Sequence, residues 1–277
     1  MIGVILATIG TFFDEISSSF GKWEILHNKE NIYTFGFLNM FWLLIIFIIF
    51  ALVKNDFIFN PASIPIFCLL IILEIAQTYS SLHAIVKADR STLGFLMIGT
   101  IPLLLLVDKV LGYEISTFNL IGIFVTVLGL IILLTNHGIN KKGIGYVIFS
   151  TINAVATISI YKYCITYYNS VAAQQIITSV FLLIFLFIMS MWKFKQNPLS
   201  YLLRKDFLVH SFSNGFGSVL ISIAYVYAPA SIITSGKRAS SLLWSIISGS
   251  KVFHEKHILI KITSFIFIVM GLVFLVM

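Results

Sequence analysis

Apolar residues run for about twenty positions at a time along this chain, a length that carries an α-helix across a hydrocarbon core of roughly 30 Å. Ten such stretches stand out, at 2–21, 35–53, 64–86, 91–108, 117–136, 143–163, 170–192, 207–228, 231–253 and 258–277. Short polar breaks separate them, among them Lys54-Asn55-Asp56, Asn60-Pro61, Lys87-Ala88-Asp89-Arg90 and Gln196-Asn197-Pro198. Only 10% of the 277 residues are charged and 59% are hydrophobic, whereas soluble domains carry about 25% charge. The expected fold class is an all-α integral membrane protein with ten transmembrane helices. A net charge of +7 on such a chain reads as basic loops at a membrane face, with no nucleic-acid partner implied. Cys68 and Cys164 lie inside apolar runs with no ligand spacing, so no disulfide, metal or cofactor is expected. The first run lacks a basic leader and a cleavage site and reads as a retained helix.

The ninth span is not uniformly apolar. Thr234, Lys237, Ser241, Ser245 and Ser248 recur at helical spacing, with Trp244 beside them and Arg238 next to Lys237. A cation at membrane depth costs several kcal/mol unless paired or hydrated, so this stripe is expected to face an aqueous cavity. Four other spans carry stripes: Thr11, Glu15, Ser18 and Lys22 with Asp14 adjacent; Glu74, Thr78 and Ser81 with Gln77; Ser150, Asn153, Thr157 and Tyr161; and Ser211, Asn214, Ser218, Ser222 and Tyr225. The second, fifth, seventh and tenth spans look almost wholly apolar inside. Polar groups in hydrocarbon must find partners or water, so the five striped helices are expected to converge.

The residues expected to contact substrate or ion are Glu74, Glu15, Asp14, Lys237, Arg238, Trp244, Asn153, Tyr161, Asn214, Tyr225 and Ser241. Glu74 sits near mid-span, either as a coupling or cation-binding carboxylate or as an ion-pair partner of Lys237 or Arg238. Of Asp14 and Glu15, one faces the cavity and the other pairs with Lys22 or a neighbouring helix. Trp244 walls the chamber. Glu114 and Glu255 read as helix-end caps, and His83 and His210 as hydrogen-bonding residues without metal-ligand spacing. Trp23 and Trp192 sit at span ends as interfacial anchors.

The halves echo one another. Leu111-Gly112-Tyr113-Glu114 precedes a span with Gly129, and Val252-Phe253-His254-Glu255 precedes a span with Gly271. Gly21-Lys22-Trp23 is matched by Tyr161-Lys162-Tyr163. Five spans per copy is odd, so the second copy enters the bilayer upside down, the inverted-repeat plan of many secondary transporters. The division falls as 1–138 and 139–277. With Glu114, Glu255, Gly129, Gly271, Lys22 and Lys162 in these places, the chain resembles the two EamA modules of the drug/metabolite transporter superfamily over essentially its whole length. Pro102 departs from that pattern, having no counterpart in the ninth span, where Lys237-Arg238 stands instead. The resemblance implies ten helices with the first, third, fourth, sixth, eighth and ninth around a central cavity.

The expected function is a secondary transporter moving a small polar or amphipathic metabolite by alternating access, with proton coupling through Glu74 as a further option. A lipid or lipid-linked-sugar flippase of the same fold is the alternative. An intramembrane enzyme is disfavoured by the absence of HExxH, GxSxG and GxGD patterns. Partners are the substrate and the bilayer, with a homodimer left open. The expected location is the bacterial inner membrane. Lysines and arginines gather on the odd-numbered connections, which puts both termini outside, whereas the superfamily resemblance implies termini inside.

Overall fold

The computed structural model describes residues 2–110, 116–135, 141–228 and 230–276. Among them there is no strand. The first half holds α1 (Ile2–Leu26), α2 (Ile32–Lys54), α3 (Ile64–Lys87), α4 (Arg90–Met97), α5 (Thr100–Val110) and α6 (Thr117–Thr135). The second holds α7 (Ile144–Tyr167), α8 (Val171–Phe194), α9 (Lys205–Ala224), α10 (Ala230–Lys251) and α11 (Ile258–Val276). Each of the ten apolar stretches thus contains a helix, and the fourth contains two.

Seven of these segments are long and apolar enough to cross a membrane: α1, α2, Pro61–Lys87, Arg90–Val107, α7, α8 and Phe207–Ala224. Shorter apolar stretches lie in α6 (Leu120–Ile132) and α11 (Ile258–Phe274), while α10 is too polar to qualify. Leu52, Ile72, Leu106, Phe124 and Ile184 are exposed, while Thr34, Ser80, Ser150, Gln174, Ser190 and Thr234 are buried. A water-soluble protein of this size hides the first set and displays the second. The arrangement is that of an all-α integral membrane protein.

The fourth span was expected as one helix and is broken at Ile98-Gly99. Pro102 has no N–H to offer the Ile98 carbonyl, and its ring crowds that turn. Tighter bonds take over, from Ile98 N to Phe95 O (3.2 Å), Gly99 N to Leu96 O (3.0 Å) and Ile101 N to Ile98 O (2.9 Å). Thr100 Oγ1 donates to Met97 O at 2.8 Å and Thr151 Oγ1, from α7, to Leu96 O at 3.3 Å. Hydroxyls thus add to the backbone bonds at the carbonyls around the break.

The same sequence of devices appears in both halves. Asn31 caps α2 by accepting from Tyr33 N and Thr34 N, and Ser170 caps α8 by accepting from Ala173 N. Both helices end on a left-handed residue, Asn55 (φ 48°) and Lys195 (φ 50°). A single 3-10 turn follows each, Pro61–Ser63 and Pro198–Tyr201, opened by the side chains of Asn60 and Asn197. Lys22 of α1 donates to Ala88 O at the end of α3 (2.5 Å), and Lys162 of α7 to Tyr225 O at the end of α9 (2.7 Å).

Helix neighbours follow suit. α1 packs on α9 and α10, while α7 packs on α3 and on the α4–α5 pair; α2 meets α8, α4 meets α10 and α6 meets α11. The α6–α11 crossing is reciprocal at glycine. A Cβ on Gly129 would lie 3.0 Å from Ser264 O and Ile268 Cγ1, and one on Gly271 would lie 2.7 Å from Gly122 O and the Thr126 nitrogen. Gly271→Leu is therefore expected to destabilise by about 1–3 kcal/mol through overpacking. Gly145→Ala, where nothing lies within 4 Å, is expected to be neutral or slightly stabilising. Thermal unfolding of the two variants in one detergent compares them directly.

Candidate functional site

Two polar cavities lie end to end inside the bundle. The first, of about 330 Å³, is walled by α1, α3, α4, α7, α9 and α10, and contains Asp14, Glu15, Glu74, Arg90, Asn214, Lys237, Arg238 and Ser241. It runs towards the α3–α4 corner. The second, of about 250 Å³, is walled by α2, α3, α7, α8, α9 and α10, and contains Glu74, Tyr161, Gln175, Ser218, Tyr225 and Lys237. It runs towards the carboxyl ends of α7 and α9. Four residues, Glu74, Thr157, Ile158 and Lys237, belong to both walls. They form the layer where the chambers meet.

Helix periodicity places each group. In α10, Thr234, Lys237, Ser241, Ser245 and Ser248 follow the spacing that keeps one face in register. Lys237 and Ser241 from that face reach the first chamber, as does Arg238 beside them. Lys237 also borders the second chamber. Arg238 Nε donates to Thr100 Oγ1 at 3.3 Å, tying it to the helix break.

Asp14 and Glu15 divide their roles. Glu15 is committed to structure: Arg90 grips it from Nη2 to Oε2 at 2.7 Å and from Nε to Oε1 at 3.1 Å, and Ser19 and Ser248 donate to Oε1. Its partner is thus Arg90 rather than Lys22, whose ammonium reaches the Ala88 carbonyl. Asp14 faces the first chamber with Oδ1 unbonded, and the Asn214 Oδ1 is likewise unbonded. Among the described residues neither Asp14, Glu74 nor Lys237 forms an ion pair within 4.0 Å.

Of the residues singled out from the sequence, Glu74, Glu15, Asp14, Lys237, Arg238, Asn214 and Ser241 meet in the first chamber, and Glu74, Lys237, Tyr161 and Tyr225 in the second. The tyrosines are held from behind, Tyr161 donating to Ser222 O at 3.2 Å and Tyr225 bonding Thr234 Oγ1 at 2.9 Å. Asn153 stands one step back. It donates to Leu73 O and Gln77 Oε1, both at 2.9 Å, while Gln77 donates to Ser150 at 2.7 Å and Ser81 at 3.1 Å. This ladder fastens α7 to α3.

Trp244 corrects the expectation that it walls the chamber. It lines a separate groove between α1 and α10 with Phe12, Ile16, Ser19 and Ser248, its ring 5.0 Å from that of Phe12. Seven residues on from Lys237 it shares the lysine's side of a regular helix, but it stands two turns further along α10, where that side packs against Phe12 of α1 instead of lining the chamber. The seventh span, expected to be apolar inside, instead supplies Gln175, Thr178 and Ser179 to the second chamber. Arg90, placed in a polar break by sequence, is a chamber residue.

Glu255 behaves as the expected cap, though of a distant helix. Its Oε1 accepts from Arg90 N at 2.7 Å and its Oε2 from Ser91 N at 3.4 Å, at the start of α4. Lys261 donates to it at 2.9 Å, and Ser91 Oγ adds a further bond. Burial alone raises its pKa, but the Ser91 and Lys261 bonds and the Lys261 charge outweigh that and hold it below the ordinary carboxylate value of 4.5. A depressed folded-state pKa contributes stability above the unfolded value and loses it as pH falls. Glu255→Gln is expected to lower stability at neutral pH by about 1–2 kcal/mol, the scale of a lost charged cap, and to shrink the wild-type advantage as pH drops below about 4.5. Melting curves at neutral pH and at progressively acidic pH measure both. Glu114, the other expected cap, lies outside the described residues.

No protein-family model matches the chain, and no curated protein matches it.

Proposed function

We propose that the protein is a secondary transporter that moves a small polar or amphipathic metabolite across the membrane by alternating access. The observation that carries the reading is the pair of chambers sharing Glu74, Thr157, Ile158 and Lys237. A substrate site between two half-cavities, closed to each side in turn, is what alternating access requires. Chambers of about 250 and 330 Å³ suit a metabolite rather than a macromolecule.

The ten-helix, two-copy plan is part of the same proposal. Some helix neighbours correspond when the halves are exchanged, α1–α9 with α7–α3 and α1–α10 with α7 against the α4–α5 pair, which supports copies related by a two-fold axis. Five spans in each make the copies antiparallel, in the manner of EamA-type members of the drug/metabolite transporter superfamily. The broken fourth span, with Arg238 bonded to Thr100, supplies the discontinuous helix found at many transporter sites. A bacterial inner membrane is the proposed location.

The groove beside Trp244 favours a second reading. Glu15 borders both it and the first chamber, with Lys251 at its rim, so a lipid headgroup has a lateral approach and a flippase of the same fold is the alternative.

The experiment begins with a thermal-shift screen of purified protein against amines, amino acids, carboxylates and lipid headgroups. A ligand at a hundred times its Kd stabilises by about 2.7 kcal/mol. Each hit is then followed as counterflow in sealed proteoliposomes. Movement of a soluble hit supports the transporter; redistribution of labelled lipid alone supports the flippase. Turnover of a hit to product without movement across the vesicle defeats both.

A further inference from the structure

At one end of the bundle three groups that attract cations, none of them lining either chamber, converge. Glu24 closes α1, Glu30 lies in the α1–α2 connection and His210 stands on α9. They are 3%, 5% and 0% exposed. His210 Nε2 lies 3.2 Å from Glu24 Oε2 and 3.5 Å from Glu30 Oε1, and one ligand atom from each residue falls within 4.8 Å of the others. His210 Nε2 is buried without a hydrogen-bond partner among the described residues, and Glu30 faces Glu24 carboxyl to carboxyl.

The imidazole supplies the second strand of the argument. His210 Nδ1 lies 3.2 Å from Asn39 Oδ1, which also receives the Ser17 hydroxyl at 3.4 Å. An amide oxygen accepts, so Nδ1 carries the hydrogen and Nε2 presents its lone pair to the two glutamates. The lone pair of a buried Nε2 then faces carboxyl oxygens at 3.2 and 3.5 Å, a set of ligand atoms that one cation can gather. A histidine whose far nitrogen donates to an oxygen is the usual form of a metal-ligating histidine. The rings of Phe35 and Phe207, centred 5.2 and 6.1 Å from that of His210, close the site.

The two spacings from His210 suit an ion. Zinc–nitrogen and zinc–oxygen bonds of about 2.0–2.2 Å at tetrahedral angles put ligand atoms about 3.3–3.6 Å apart, against the 3.2 and 3.5 Å found from His210. We propose that Glu24, Glu30 and His210 form a buried structural site for a divalent transition ion of the zinc class, clamping the end of α1 and the α1–α2 connection to α9. One imidazole and two carboxylates favour zinc over calcium or magnesium, which take oxygen ligands only.

The test uses the full chain in detergent, stripped with chelator and then given Zn²⁺ alone. The expected result is one tightly held zinc per chain by elemental analysis, with an absorption-edge spectrum showing one imidazole nitrogen and carboxylate oxygens. Glu30→Gln and His210→Gln should each lower zinc affinity at least a hundred-fold. Asn39→Leu, which frees the Nδ1 hydrogen without removing a ligand, should lower it about ten- to a hundred-fold. Glu255→Gln, at the other buried carboxylate cluster, should leave it unchanged. The spectrum of wild type answers the question even if a variant fails to fold. Wild type that returns from loading with no zinc, or zinc equally retained by Glu30→Gln and His210→Gln, or a shell without imidazole overturns the proposal.

One variant probes the packing around this cluster without touching a ligand. A Cβ on Gly21 would overlap the Phe35 ring. Gly21→Ala is therefore expected to displace the ring that covers His210 and to loosen zinc by about ten-fold, as other outer-shell changes do. Unchanged affinity in a folded Gly21→Ala protein would show that Phe35 plays no part in closing the site.

Discussion

Arg90→Ala is expected to cost the folded protein about 3–5 kcal/mol, because it strands the Glu15 carboxylate in the interior. Both side chains are nearly inaccessible, at 3% and 8%, and the guanidinium makes two bonds to one carboxylate. Only serines remain to solvate Glu15 once it is gone. Replacing both members by apolar side chains of similar volume should restore most of the loss, since the penalty arises from an uncompensated charge rather than from the missing attraction. Arg90→Lys should fall between, keeping the charge but giving up the fork. Thermal melts in one detergent rank the four proteins. An Arg90→Ala protein within about 0.5 kcal/mol of wild type, the range of an ordinary surface substitution, would contradict this account of the α1–α4 junction.

The second large effect concerns movement rather than folding. Glu74→Gln and Lys237→Ala should each reduce counterflow ten- to a hundred-fold or more, with a melting temperature close to that of wild type. A hydrogen bond or contact to a charged group is worth about 1.5–3 kcal/mol, which is that range in affinity. Stability should change little because neither group is held in an ion pair among the described residues. If Glu74 also carries the coupling proton, Glu74→Gln should flatten the pH dependence of uptake. Counterflow that keeps both its rate and its pH dependence in Glu74→Gln removes Glu74 from the mechanism.

The helices were legible in the sequence because apolar runs of membrane length leave little choice of fold. The stripe on α10 was equally plain, since a lysine and three serines at helical spacing have only one stable way to face. What the pattern hid follows from how it is read. Arg90 looked like a loop residue because it follows Asp89 in a polar break, yet it begins α4 and turns inward to Glu15. Gln175, Thr178 and Ser179 were masked by the Phe and Leu residues around them. Pro102 was visible, but the break it makes shows only in the carbonyls that Thr100 and Thr151 cover. Glu24 and Glu30 lie near the start of the chain and His210 in α9 of the second half, and no spacing rule links them; a buried histidine with two nearby acids is a fact of packing alone.

The α2–α8 pair is sewn together at both of its ends. At one, Thr34 bonds Ser190 at 3.0 Å and Gln196 at 3.1 Å; at the other, the Ser170 amide bonds Ile58 O at 2.9 Å and the Asn60 amide bonds Asn169 Oδ1 at 2.9 Å. Two antiparallel helices riveted top and bottom cannot slide or splay, so they act as a fixed mast. Any rocking that carries cargo past Lys237 must then swing the other helices about that mast, and amide exchange along α2 and α8 should be the slowest in the molecule.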